Sequence, residues 1–177
     1  MSAALISTQV VTQAHANDMP NPSFENGGGW SVAANHSIVS GTARSGSKSL
    51  QLNSNGNTFT TFSNIVPATE GDEYIISGYV KVQNLVAGPN GSGDTPILTM
   101  RFRNGTDYIR NHQNKQTAGY RWAPYPKGAN GTYGFTNEGM AMRFQIPDNG
   151  TSVQVGIRTW AHNTSGKTWW DDMSLTK

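Results

Sequence analysis

The chain has 177 residues, enough for one domain with a substantial hydrophobic core. Charged residues make up only 14% and glycine reaches 20, which excludes both a charge-rich helical bundle and a highly charged disordered chain. The formal net charge of +2 is too mild to imply nucleic-acid binding, and without cysteine there is no disulfide, thiolate metal site or cysteine nucleophile.

The opening "MSAALISTQVVTQAHAND" carries an Ala-His-Ala that imitates a signal-peptidase site. It has no basic start, and Ser7, Thr8, Gln9, Thr12 and Gln13 interrupt its apolar part, the reverse of a secretory leader. Residues 1–20 therefore read as a mostly irregular arm outside the domain, and 21–177 as the domain itself. Leu5, Ile6, Val10 and Val11 are too few to offset the entropy of ordering the arm. It is expected to order against another protein subunit, in a homo-oligomer or a larger assembly.

Within the domain no segment sustains a 3.6-residue period, and period-two alternation recurs instead. "SLQL" (Ser49–Leu52) and "TFTTFSNIV" (Thr58–Val66) are short strands, and "YIISGYVKV" (Tyr74–Val82) is a longer one. "ILTMRF" sets Leu98, Met100 and Phe102 against Thr99, Arg101 and Arg103. After an excursion over Asn111–Thr136 with little alternation, "MAMRFQIP" sets Met140, Met142, Phe144 and Ile146 against Arg143 and Gln145. "SVQVGIRTW" sets Val153, Val155 and Ile157 against Gln154, Arg158 and Trp160. "TWWDDMSLTK" closes the chain as a strand. There the period places Trp169, Asp171, Met173 and Leu175 on the inward side, with Trp170 and Asp172 outward. Asn-Gly-Thr occurs at Asn104, Asn130 and Asn149, and Asn-Gly accepts tight-turn conformations readily. Short strands joined in this way indicate an all-β antiparallel sandwich, and no apolar run is long enough for a membrane-spanning helix.

Four pieces occur in a fixed order: "NPSFENGGGW", "RSGSKSLQL", "VPATEGDEYIISGYVKV" and "WWDDMSL". From Asn21 to Lys177 the chain resembles the jelly-roll carbohydrate-binding modules that accompany xylanases and other polysaccharide hydrolases. The resemblance implies a jelly-roll sandwich, a non-catalytic role and a structural calcium. Its ligands would map onto the carboxylates of Glu25 and Asp171 and the main-chain carbonyl around Lys48. One acidic residue common in that pattern is missing before Ser45-Gly46, where Gly41 and Thr42 stand. Arg44 lies close by, so a salt bridge from Arg44 to Asp171 or Glu25 is the alternative to the metal.

Nothing in the sequence forms a persuasive catalytic set. "SGSK" at Ser45–Lys48 leads into a strand, not the helix that a Ser-x-x-Lys nucleophile needs. His15, His36, His112 and His162 show no ligand spacing and read as exposed loop residues. Glu70, Asp72 and Glu73 crowd one turn, whereas a glycosidase needs two carboxylates across a cleft.

The outward set is rich in arginine and aromatic residues: Tyr79, Arg101, Arg103, Arg143, Gln145, Arg158 and Trp160. If these strands share one sheet, the face suits an acidic or sulfated glycan. Rings stack on sugars, and guanidinium forks bind carboxylates. A protein interface enriches the same residue types. Trp122 either joins that face or plugs the core under its loop. Three functions follow in order of preference. The first is a surface-decorating structural protein of a larger assembly, a virion above all. The second is an ancillary glycan-binding module of a secreted polysaccharide-degrading enzyme. A lyase or hydrolase on the same sandwich comes last. Neither nucleic acid nor a membrane is an expected partner. Two features place the virion first: no linker or catalytic neighbour is expected, and the arm is unlike a signal peptide and is expected to order against a neighbouring subunit.

Overall fold

The computed structural model describes residues 16–87, 97–109, 123–124, 131–133, 140–159 and 163–177. Two antiparallel sheets form a sandwich. One sheet runs β1 (Trp30–Ser31), β4 (Thr60–Ser63), β12 (Ser152–Arg158), β7 (Ile97–Asn104), β8 (Asp107–Tyr108). β5 (Val66–Pro67) also pairs with β12, and β9 (Ala123–Pro124) with β7. The other sheet runs β10 (Gly131–Tyr133), β6 (Glu73–Ala87), β13 (Asn163–Thr176), β3 (Lys48–Asn53), β2 (His36–Ser40), with β11 (Met140–Gln145) also on β6. The described residues contain no helix. Consecutive strands repeatedly change sheets, as in a jelly roll, and the all-β sandwich expected from the alternation is the observed architecture.

Alternation selects the core. Leu98, Met100 and Phe102 of β7 and Val153, Val155 and Ile157 of β12 turn inward and are buried. They meet Tyr74, Ile76, Val80 and Val82 of β6 and Phe144 of β11. Phe102 and Phe144 come from different sheets, and their ring centroids lie 5.6 Å apart, so aromatic packing joins the two layers. Asn104 pairs with Asp107 across the two-residue turn Gly105-Thr106, and Asn149 turns the chain before β12 with a φ of 62°.

The opening motif is a folded loop. Asn21 donates from Nδ2 to the carbonyls of Asn26 (2.6 Å) and Gly28 (2.9 Å) and accepts the Asn26 N–H on Oδ1. The Asn21 carbonyl accepts the Trp30 indole N–H at 3.0 Å. These ties hold Phe24 at a φ of 59°, a costly conformation for a bulky residue, which the complete burial of its ring offsets.

The C-terminal strand departs from strict alternation. Register shifts between Asp171 and Ser174 in the pairing of β13 with β6, and Asp172 has a φ of 47°. This bulge reverses the phase of side chains before it. Trp170, expected outward, is therefore the fully buried core residue together with Met173 and Leu175. Trp169 stands outside that core cluster, opposite Lys81 and Gln51.

Residues before the 20/21 boundary also pack on the sandwich. Asn17 acts as an extra rung on β13: its Nδ2 donates to the Met173 carbonyl and its Oδ1 accepts the Leu175 N–H. The Asp18 N–H donates to the Leu175 carbonyl at 2.8 Å, and Met19 is buried at 4% exposure. Residues 16–19 thus belong to the sandwich.

Candidate functional site

The residues expected on one basic face divide between two. Arg101 and Arg103 lie on β7 and Arg158 on β12, which are direct neighbours. Tyr79 lies on β6, and Arg143 and Gln145 on β11, which pairs with β6 in the other sheet. Period two shows which way a side chain faces but not which strand lies beside it. Trp122 and Trp160 lie outside the described residues, as does most of the Asn111–Thr136 excursion.

On the seven-stranded sheet, Gly156 of β12 is in register with Phe62 of β4 on one side and Thr99 of β7 on the other. A Cβ at Gly156 would fall 2.5 Å from Thr99 Cγ2 and 2.8 Å from Phe62 Cε1. The missing side chain lets Phe62 and Thr99 lean together and leaves a depression of about 230 Å³. Thr60, Phe62, Thr99, Arg101, Tyr108 and Arg158 line it, and among the described residues its lining includes no carboxylate or imidazole. The Arg101 guanidinium lies 3.8 Å from the Phe62 ring centroid and 5.5 Å from that of Tyr108. Rings that flank a guanidinium fix its orientation before a ligand arrives and lower the entropic cost of binding. Arg103 is spent differently: it donates to Gln154 Oε1 at 3.1 Å and to the Thr106 carbonyl, bracing the β7–β8 turn.

Phe62, Tyr108, Thr60 and Thr99 were not singled out by the sequence pattern. Of these, only Thr99 had a sequence signal, its place on the same side of "ILTMRF" as Arg101. Whether β4 and β8 flank the arginine strands depends on pairings distant in sequence.

The outer face of the six-stranded sheet looks less like a sugar platform. The Arg44 guanidinium sits 3.5 Å from the Tyr79 ring centroid and covers that face of the ring. Arg143 stands 3.9 Å from Glu73 Oε2, with both side chains well exposed, an ion pair worth little in water.

Glu25, Lys48 and Asp171 do come together, through the loop between them. Glu25 Oε1 accepts the N–H groups of Ser47 (2.6 Å) and Lys48 (2.7 Å), and Oε2 accepts the Ser47 hydroxyl at 2.8 Å. Asp171 Oδ2 accepts the N–H groups of Arg44 (2.7 Å) and Ser45 (3.1 Å), and Oδ1 accepts that of Asp172 at 2.8 Å. The Arg44 guanidinium pairs at 2.5 Å with Asp172, not with the two carboxylates expected. Donors from Lys48 and Ser47 hold the Glu25 carboxyl below its ordinary range. Burial raises that of Asp171, against the pull of its three N–H partners.

This donor set does not fit calcium. The ion needs six to eight oxygen lone pairs directed at one point. Here those lone pairs are directed at N–H and O–H groups, and Lys48 contributes donors at both its main-chain nitrogen and its ammonium. Among the described residues no three of His, Asp, Glu or Cys gather as a metal set.

His36 is not an exposed loop residue. It begins β2 with 8% exposure, its Nδ1 lies 2.7 Å from Thr61 Oγ1, and the Phe59 ring meets it edge-on at 6.3 Å. Burial lowers its pKa to about 4.

No family model matches the sequence, and no curated protein does. Solved structures match the fold. The enzymatically active domain of tailspike protein 4 from bacteriophage CBA120 is 14% identical over 90% of this chain and 21% of that one, with a TM-score of 0.61. The CBM22-1–GH10 modules of Clostridium thermocellum endo-1,4-β-D-xylanase 10B, complexed with xylohexaose, are 14% identical over 94% of this chain and 29% of that one, with a TM-score of 0.54. A putative sugar binding protein from Bacteroides thetaiotaomicron is 11% identical over 93% of this chain and 95% of that one, with a TM-score of 0.52. The chain therefore spans less than a third of the tailspike and xylanase chains it matches, and it carries the jelly-roll fold of carbohydrate-binding modules.

Proposed function

We propose that the chain is a non-catalytic, carbohydrate-binding-module-like surface component of a larger assembly, a bacteriophage particle, and that it presents the outer face of its seven-stranded sheet to an acidic glycan. The observation that carries the binding part is the Phe62–Arg101–Tyr108 stack beside Arg158. Two arginines line a depression whose described lining residues are otherwise aromatic, aliphatic or hydroxyl-bearing, a pattern suited to uronate or sulfate groups. Among the described residues the depression shows no acid–base pair of the kind glycoside hydrolysis uses, in keeping with a non-catalytic role. The tailspike likeness supports the particle, because there a sandwich of this fold forms part of a phage protein chain. Residues 1–15, joined to the segment sewn onto β13, are the proposed attachment to neighbouring subunits.

The likeness to the xylanase modules and to the Bacteroides sugar binding protein favours a second reading, an ancillary module of a secreted polysaccharide-degrading enzyme. Two measurements decide. A glycan array is expected to show salt-sensitive binding to uronate or sulfated polymers, because exposed charge contacts are screened. Immunogold labelling with antibody to the recombinant chain is expected to mark intact particles. Label confined to culture supernatant, with binding to neutral xylan or glucan, would transfer the assignment to the secreted module.

A further inference from the structure

Glu25 and Asp171 come from opposite ends of the chain and fasten the same loop, Arg44–Lys48. Asp171 takes the loop's first two N–H groups, and Glu25 takes those of Ser47 and Lys48. The loop lies so close that a Cβ on Gly46 would fall 2.4 Å from Glu25 Oε1. No gap for an ion separates that carboxylate oxygen from the main chain. The positive groups of the loop have their own places. Lys48 folds back so that Nζ donates to the Glu25 carbonyl at 2.9 Å. Arg44 reaches over the Tyr79 ring to Asp172, which also accepts the Ser45 hydroxyl at 2.5 Å.

A structural calcium does two things in such a place. It neutralises buried carboxylates, and it binds carbonyls and carboxylates from distant segments together. Each task has an organic counterpart here. Main-chain N–H groups satisfy the carboxylates, as anions are satisfied in a concave nest of amides. The Lys48 ammonium satisfies the Glu25 carbonyl that would otherwise face the loop. The Arg44 guanidinium binds the β13 bulge at Asp172 to the face of β6.

We propose that this latch is metal-free: the amides of Arg44, Ser45, Ser47 and Lys48, with the Lys48 ammonium and the Arg44 guanidinium, take the place of the calcium that the fold resemblance implies. The latch sets the path of the loop, and through Arg44 it closes one side of Tyr79 to sugar stacking. It stands independently of the glycan-binding reading, because it concerns the opposite sheet and is tested without a sugar.

The test begins with the wild-type chain. Its melting temperature is expected to be the same in calcium and in EGTA. A site filled at about 100 times its Kd would instead raise the melting temperature of a domain this size by roughly 5–10 °C. Terbium is a calcium mimic whose emission tryptophan sensitises, and Trp170 adjoins Asp171. Titration is expected to give no saturable emission. Lys48→Met is expected to lower the melting temperature by roughly 3–12 °C, the loss of one hydrogen bond from a charged donor, equally in calcium and in EGTA. A wild-type melting temperature that falls in EGTA, saturable terbium emission, or a Lys48→Met variant that melts like the wild type would overturn the proposal. The first two measurements stand even if the variant does not fold.

Discussion

Trp169 and Trp170 are adjacent in sequence and lie in different environments on the two sides of β13. Trp170 is fully buried in the core, and its indole N–H donates to Thr168 Oγ1 at 3.2 Å. Trp169 is also buried, at 6% exposure, but it packs outside the core cluster on the outer side of the sheet, with the Lys81 ammonium 5.2 Å from its ring centroid. Trp170→Ala is expected to cost about 3–5 kcal/mol, as for other large aromatic residues removed from a core. Trp169→Ala leaves no cavity between the sheets and is expected to cost clearly less. Urea unfolding of both variants checks the order, and equal losses would place both rings in the core.

Binding is expected to follow the seven-stranded sheet. Phe62→Ala combined with Arg101→Ala should abolish retention on acidic glycans, while Arg143→Ala, on the opposite sheet, should leave it within about twofold, since an exposed ion pair contributes little. Gly156→Ala should weaken retention without touching ligand, because the new methyl displaces Phe62 and Thr99. Affinity electrophoresis in gels containing the polymer measures all three. Loss of binding in Arg143→Ala alone would move the site to the other face.

The burial of His36 makes stability depend on pH in a defined window. The folded imidazole titrates near 4 and the unfolded one near 6.5, so the unfolded chain binds more protons between those values. The contribution is fully present above about pH 6.5 and is lost as pH falls toward 4. It amounts to on the order of 3 kcal/mol. Urea midpoints from pH 7 to pH 4 should fall accordingly. His36→Gln, which can still bond Thr61 without titrating, should flatten that part of the curve. An unchanged curve would assign the loss to carboxylates.

Deleting residues 1–19 tests the true start of the domain. It removes the buried Met19 side chain, worth about 1.5–3 kcal/mol, and the hydrogen bonds of Asn17 and Asp18, about 0.5–1.5 kcal/mol each. A melting temperature lower by roughly 10 °C is expected for a loss of this size. If the whole of residues 1–20 were an arm outside the domain, the melting temperature would be unchanged, and calorimetry of the truncated chain separates the two. Loss of subunit contacts on removing residues 1–15 alone would tie attachment to that segment.

The sequence by itself determined the fold class and most of the core. Alternation is a local consequence of strand geometry, so the inward placement of Leu98, Met100, Phe102, Val153, Val155 and Ile157 could be read directly. The proximity of Glu25, Lys48 and Asp171 was implied only by the resemblance to carbohydrate-binding modules that four short motifs carry. Only the tertiary structure decided the rest. Strand partners are fixed by contacts between residues far apart in the chain, so nothing local told that β11 joins β6 while β7 joins β12, and one imagined basic face became two. A single left-handed residue, Asp172, reversed the phase of the closing strand and exchanged the roles of its two tryptophans. The chemistry between Glu25 and Asp171 was likewise open in the sequence, because a carboxylate suits a cation and an N–H donor equally. The path of the Arg44–Lys48 loop, with its amides turned toward both carboxylates, is what distinguishes them.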